Sequence, residues 1–211
     1  MKIQRSNIRL LLPVIGFCIF IVLYFIAAAL YPGGSEVNRL AKGFSWKHNY
    51  WCDLLDTQAE NGEPNTARTM AIIAMSLLSL SIALFWYFIP RLFSFNPLVK
   101  KIIQYTGILS MLILVFLQVD FHDWVITISG LLGMIAITAT LAGLYKNQSY
   151  HLFILGLLCV FLLILNNYIY YTKQWMYYLA IIQKVSFFLF LLWFSLLTIQ
   201  LFQKNRLPDN S

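Results

Sequence analysis

The chain has 211 residues, of which 60% are hydrophobic and 11% charged, with a formal net charge of +7. A water-soluble domain is nearer half apolar and a quarter charged, so a soluble fold is excluded. Nor does the positive charge point to nucleic acid: the basic residues sit in short connections at one end of each apolar run, the pattern that orients a membrane protein.

The apolar runs are roughly 17 to 25 residues long, which suits helices crossing roughly 30 Å of hydrocarbon; barrel strands need only about 10 alternating residues. The predicted fold class is therefore all-α, a polytopic membrane helix bundle forming a single integral membrane domain over residues 1–211. Six transmembrane helices are expected at about 10–31, 67–89, 102–118, 124–145, 152–171 and 177–202.

Lys2, Arg5 and Arg9 precede the first apolar run. A basic start and the small residues Ala27, Ala28 and Ala29 also suit a signal peptide. The run exceeds the roughly 7 to 15 residues of a secretory apolar region, so a retained first helix is expected, with Pro13 tolerated in its first turns. Pro32-Gly33-Gly34 then ends the helix in a turn.

One long polar loop follows, residues 32–66, with five acidic residues: Glu36, Asp53, Asp56, Glu60 and Glu63. Within it, residues 44–56 mix Phe44, Trp46, Tyr50 and Trp51 with polar side chains, and a short interfacial helix is predicted there. Asn61-Gly62-Glu63-Pro64 reads as a turn, and Asn65 or Thr66 is placed to cap the second span. Pro90 stops that span. Asp120, His122 and Asp123 form a very short link between the third and fourth spans, and Lys146 to Ser149 the next turn. In the last span Lys184 interrupts the apolar run. It is either buried about two turns into the bilayer, or the span begins after it and residues 174–183 lie along the interface.

With the N-terminus inside, Lys2, Arg5, Arg9, Arg91, Lys100, Lys101, Lys146, Lys204 and Arg206 fall on inner segments. Only Arg39, Lys42, Lys47, Arg68 and Lys173 fall on outer ones. That bias predicts cytoplasmic N- and C-termini and an outer-face long loop, in a cell's inner (plasma) membrane.

Chemistry, if present, is expected at that outer face, where seven of the acidic residues gather with His48 and His122. The candidate catalytic groups are His48, Asp53, His122 and Asp123: a carboxylate beside a histidine fixes its tautomer and raises its pKa, as general-base catalysis needs. On a helix, His48, Cys52 and Asp56 share one face and Asn49 and Asp53 an adjacent one. These are zinc-ligand types, but no HExxH, HxxxH or CxxC occurs, so neither a metal nor another cofactor is expected. Cys18, Cys52 and Cys159 give no disulfide. The plainer reading has the polar groups capping helices, meeting headgroups and pairing with basic side chains.

Polar residues inside spans are costly and face other helices. Gln118, Asn166, Asn167 and Lys184 lie near outer span ends, and with Asp120 they are the candidate binding residues for an outward-facing polar cavity. The plainer alternative has the asparagines bonded across helices and Lys184 snorkelling to the headgroups. No Walker A, GxSxG or GxGxxG pattern supports nucleotide-driven transport or serine-hydrolase chemistry.

The first loop resembles that of a bacterial domain-of-unknown-function family of six-helix integral membrane proteins, distantly like the Frag1/DRAM/Sfk1 group. The residues concerned are Tyr31-Pro32-Gly33-Gly34-Ser35, Asn49-Tyr50-Trp51-Cys52-Asp53-Leu54, and Asn61-Gly62-Glu63-Pro64-Asn65 with Ala67-Arg68. His122-Asp123 is a weaker echo. The resemblance implies a six-helix bundle and transfers no catalytic residue. Three functions remain open: a binding protein for a lipid headgroup, small molecule or partner, with membrane lipids around it and a homo-oligomer possible; a membrane-embedded lipid-modifying or hydrolytic enzyme; and a small transporter using Lys184 and the asparagine pair.

Overall fold

The computed structural model describes residues 8–114 and 122–206. Its helices are α1 (Leu12–Ala29), α2 (Arg68–Phe88), α3 (Pro97–Leu114), α4 (His122–Lys146), α5 (Tyr150–Thr172) and α6 (Met176–Lys204). Among the described residues six helical segments are long and apolar enough to cross a membrane, and there is no strand, only two isolated bridges. Backbone groups in hydrocarbon need partners within their own segment, which is why apolar runs of this length become helices. Pro13 occupies the second position of α1, after a 3-10 turn at Ile8–Leu11, and Pro90 lies in the 3-10 turn Ile89–Leu92 that ends α2.

The chain divides into two compact units. The first comprises Met1–Cys18, Ser76–Leu157 and Leu192–Ser211. Its core is aromatic: the Phe85 and Phe194 rings lie 4.4 Å apart, with Phe17, Trp86 and Trp193 around them. Trp193 donates its indole N–H to the Leu152 carbonyl at 2.8 Å, so its polar edge is satisfied as its body is buried. α3 and α4 approach closely, and the Ser110 hydroxyl donates to the Ser129 carbonyl at 2.7 Å. At one end Lys204 donates to the Leu92 carbonyl at 3.0 Å, a basic side chain satisfying a carbonyl freed by the end of α2.

The second unit comprises Ile19–Met75 and Leu158–Leu191 and contains the whole polar loop. The loop has little regular structure. Gly33 and Gly34 sit between its arms: Gly34 N–H donates to the Ala41 carbonyl at 2.7 Å, and Asn61 N–H donates to Gly33 at 3.2 Å. A β-carbon on Gly34, whose φ is +84°, would lie 2.3 Å from the Asn61 nitrogen, so only glycine fits. The helix predicted over 44–56 is absent. A turn at Ser45–Asn49 and a single 3-10 turn at Cys52–Leu54 stand in its place. The sixth span, by contrast, is one uninterrupted helix from Met176, and Lys184 lies more than two turns inside it.

Candidate functional site

Asn49 is the hub of the second unit, fully buried. Its side-chain oxygen accepts Ser45 N–H at 2.8 Å, closing the Ser45–Asn49 turn. Its amide nitrogen donates to the Gly34 carbonyl at 2.9 Å and to Asp53 Oδ2 at 2.7 Å. The same carboxylate oxygen accepts Tyr50 N–H at 2.9 Å. The main-chain carbonyl of Asn49 accepts from Lys184 Nζ, which also donates to the Ala180 carbonyl one turn back on α6, at 3.0 Å. A cation from one helix and a carboxylate from the loop are thus joined through one asparagine. Asn65 adds the next tie: its amide donates to the carbonyls of Asp53 and Asp56, each at 2.9 Å, while its oxygen accepts Ala67 N–H at 3.1 Å where α2 begins.

Aromatic rings close the site around these polar bonds. The Lys184 ammonium lies 5.6 Å from the Phe44 ring and 6.0 Å from that of Trp51, within reach of cation–π attraction. Trp51 packs edge-on against Tyr24, centroids 4.2 Å apart, and against Phe187 at 5.5 Å. Its main-chain N–H donates to Gln183 Oε1 at 3.1 Å, and its main-chain carbonyl accepts the Tyr24 hydroxyl. Lys184 is only 7% exposed: it turns inward to the loop instead of snorkelling to the headgroups.

This environment governs the loop's titratable groups. Burial lifts the Asp53 carboxyl from its ordinary 3.8 to about 6; the Asn49 and Tyr50 hydrogen bonds oppose the rise, and the nearby Glu60 and Asp56 charges add to it. Burial, with the charges of Asp53 and Asp56, likewise pushes the Cys52 thiol to about 11, and burial with Glu36 raises Tyr50 above its usual value.

Of the four candidate catalytic residues, Asp53 lies in this network. His48 faces the Tyr177 ring, centroids 5.3 Å apart, and its buried Nδ1 has no hydrogen-bond partner. The backbone of His122 and Asp123 opens α4, but their side chains, and all of Gln118 and Asp120, lie outside the described residues. Of the candidate binding residues, Asn166 donates to the Leu162 carbonyl at 2.8 Å and the Ser186 hydroxyl at 2.6 Å, and Asn167 to the Leu163 carbonyl at 2.8 Å. Lys184 has a different set of partners, so these three groups do not share one hydrogen-bond network. Among the described residues no group of three or more His, Cys, Asp or Glu side chains is placed to hold a metal ion. Asn49 and Asp53, expected on one face of a helix, do bond, but across turns with no α-helix there; Asn65 caps α2 as its position suggested, while nothing in the sequence marked Asn49 as the anchor of Lys184 or Gln183 as a tie.

Comparisons with known proteins return no match to this chain, whether among protein-family models, curated proteins or solved structures. The architecture is all-helical among the described residues, with six helices long and apolar enough to cross a membrane, and its chemistry rests on the residues themselves.

Proposed function

We propose that this is a binding protein of a bacterial inner membrane, with both termini cytoplasmic and loop 32–66 forming a fixed outer-face platform for a lipid headgroup, small molecule or partner protein. One observation carries it: Asn49, Asp53 and Lys184 are engaged in holding the loop. Asp53 accepts two N–H groups, Asn49 makes bonds through every polar atom of its side chain, and Lys184 donates to two carbonyls. A reactive centre keeps a nucleophile or base aimed at open space; here the Asp53 carboxyl and the Lys184 amine are turned to the chain itself. The loop's exposed side chains include Val37, Leu40 at 92% exposure and Trp46, with the basic Arg39, Lys42 and Lys47 and the acidic Glu36, Asp56 and Glu63.

A photo-crosslinking amino acid at Leu40 or Trp46 in growing cells tests the platform, with buried Leu54 as control. Adducts at the two exposed positions and none at Leu54 support it; no adduct at either exposed position overturns it.

The enzyme reading retains one supporting observation, the Asp53 carboxyl at about 6, which suits a general acid or base near neutral pH. Purified protein that turns over lipid with a pH inflection near 6, lost in Asp53→Asn, would favour it over the platform.

A further inference from the structure

The turn joining α5 to α6 has a different character from the Asn49 network. Two of its residues, Lys173 and Trp175, adopt left-handed backbone conformations, with φ of 59° and 60°. Such angles are uncommon for any residue with a side chain and rare for one as bulky as tryptophan. The turn holds both side chains at the surface: Trp175 is exposed, as are Tyr170, Tyr171 and Tyr178 beside it. Lys173 Nζ stands 4.2 Å from the Tyr170 ring. From the loop, Lys47 Nζ stands 4.9 Å from the ring of Tyr177 on the first turn of α6. Neither ammonium is paired with a carboxylate among the described residues, and no acidic residue occurs anywhere between Asp123 and Asp209. The corner is therefore cationic, with no countercharge of its own along α5 or α6.

We propose that this corner binds the phosphate of an anionic phospholipid. α5 and α6 are each long enough and apolar enough to cross a membrane, so the turn that joins them falls where the helices leave hydrocarbon for headgroups. Exposed tyrosine and tryptophan suit that depth, with apolar bodies toward the acyl chains and polar tips toward water. Lys173 and Lys47, steadied against aromatic faces, supply point charges that a phosphate diester satisfies. A soluble anion fits the charges but leaves the ring of exposed aromatics unexplained, which is why a lipid is the occupant. Lys47 belongs to the loop, but Lys173 and the turn lie outside it, so the Lys173→Gln variant tests the corner apart from the function proposed for the loop.

The test uses the intact protein in nanodiscs of equal phosphatidylglycerol and phosphatidylcholine, with retained lipid counted by native mass spectrometry. The wild type retains phosphatidylglycerol in preference, and Lys173→Gln lowers that preference about fivefold, with a similar further drop in the Lys47→Gln/Lys173→Gln double variant. Both substitutions are at the surface, and an unchanged melting temperature shows the fold intact. Equal retention of the two lipids by the wild type, or an undiminished preference in the double variant, overturns the proposal. Displacement of the bound phosphatidylglycerol by millimolar inorganic phosphate overturns it too, in favour of a soluble-anion site.

Discussion

Asp53 gives the most quantitative prediction, because a buried carboxylate makes folding sensitive to pH in an unusual direction. Its carboxyl sits at about 6 in the folded protein against an ordinary 3.8. The folded state therefore binds the proton more tightly than the unfolded one, and stability rises as pH falls through 6, reaching its full gain below 3.8. The whole rise corresponds to about 3 kcal/mol between the two protonation states. Between pH 7.5 and 5 the recoverable part is about 1.4 kcal/mol, or roughly 3–5 °C in melting temperature for a chain of this size. Asp56 and Glu60 lie close enough to influence the titration, and Lys184 faces the same asparagine. The reference is therefore Asp53→Asn, which keeps every other charge and an oxygen able to accept from Asn49 and Tyr50. Thermal unfolding in detergent, followed by tryptophan fluorescence with Trp46 and Trp51 inside the loop, is the assay. The wild-type melting temperature, taken relative to Asp53→Asn at each pH, should climb as pH falls from 7.5 to 5. A flat difference, or one that falls with acid, would refute the argument that burial dominates over the two hydrogen bonds.

Asn49→Ala removes one accepted and two donated hydrogen bonds from a fully buried position, a loss of about 3 kcal/mol that thermal unfolding at constant pH would register as a lower midpoint. Gly107→Ala tests the first unit: the added carbon would lie 2.3 Å from a ring atom of Trp86, a residue only 1% exposed, so overpacking should cost about 1–3 kcal/mol by the same assay. Cys52, at about 11, should react with a water-soluble maleimide at pH 7.5 about 100-fold more slowly than a thiol at the ordinary 9.0; labelling at the ordinary rate would contradict the buried environment assigned to it.

The helices were legible in the sequence because their cause is local: an apolar run of sufficient length has no other way to satisfy its backbone in hydrocarbon. The loop was not, and residues 44–56 show why. Their aromatic and polar mixture suits an interfacial helix, but Asn49 and Asp53 offer side chains that bond nearby backbone N–H groups in place of helical carbonyls. Trp51 N–H goes to Gln183, and the Asn49 carbonyl to Lys184, partners 132 and 135 residues away. No periodicity records a contact at that separation. Lys184 itself was ambiguous for a related reason: a lysine stem suits both a snorkelling and a buried reading, and what decides is a carbonyl presented by a loop far off in the chain. His48 and Asp53 were chosen by residue type, and the fold places only Asp53 in the Asn49 network, with His48 against Tyr177.

The central claim is that Lys184 pins the loop through the Asn49 carbonyl, and hydrogen exchange over residues 45–65 in lipid nanodiscs tests it most directly, comparing wild type with Lys184→Met. The substitution leaves a buried carbonyl without its donor while keeping an apolar stem, a loss of about 1–3 kcal/mol. Slow exchange in the wild type, accelerated about tenfold or more in the variant across these residues, is the expected result. Loop amides that exchange as fast as an unstructured peptide in the wild type, or at the same slow rate in both proteins, would contradict it.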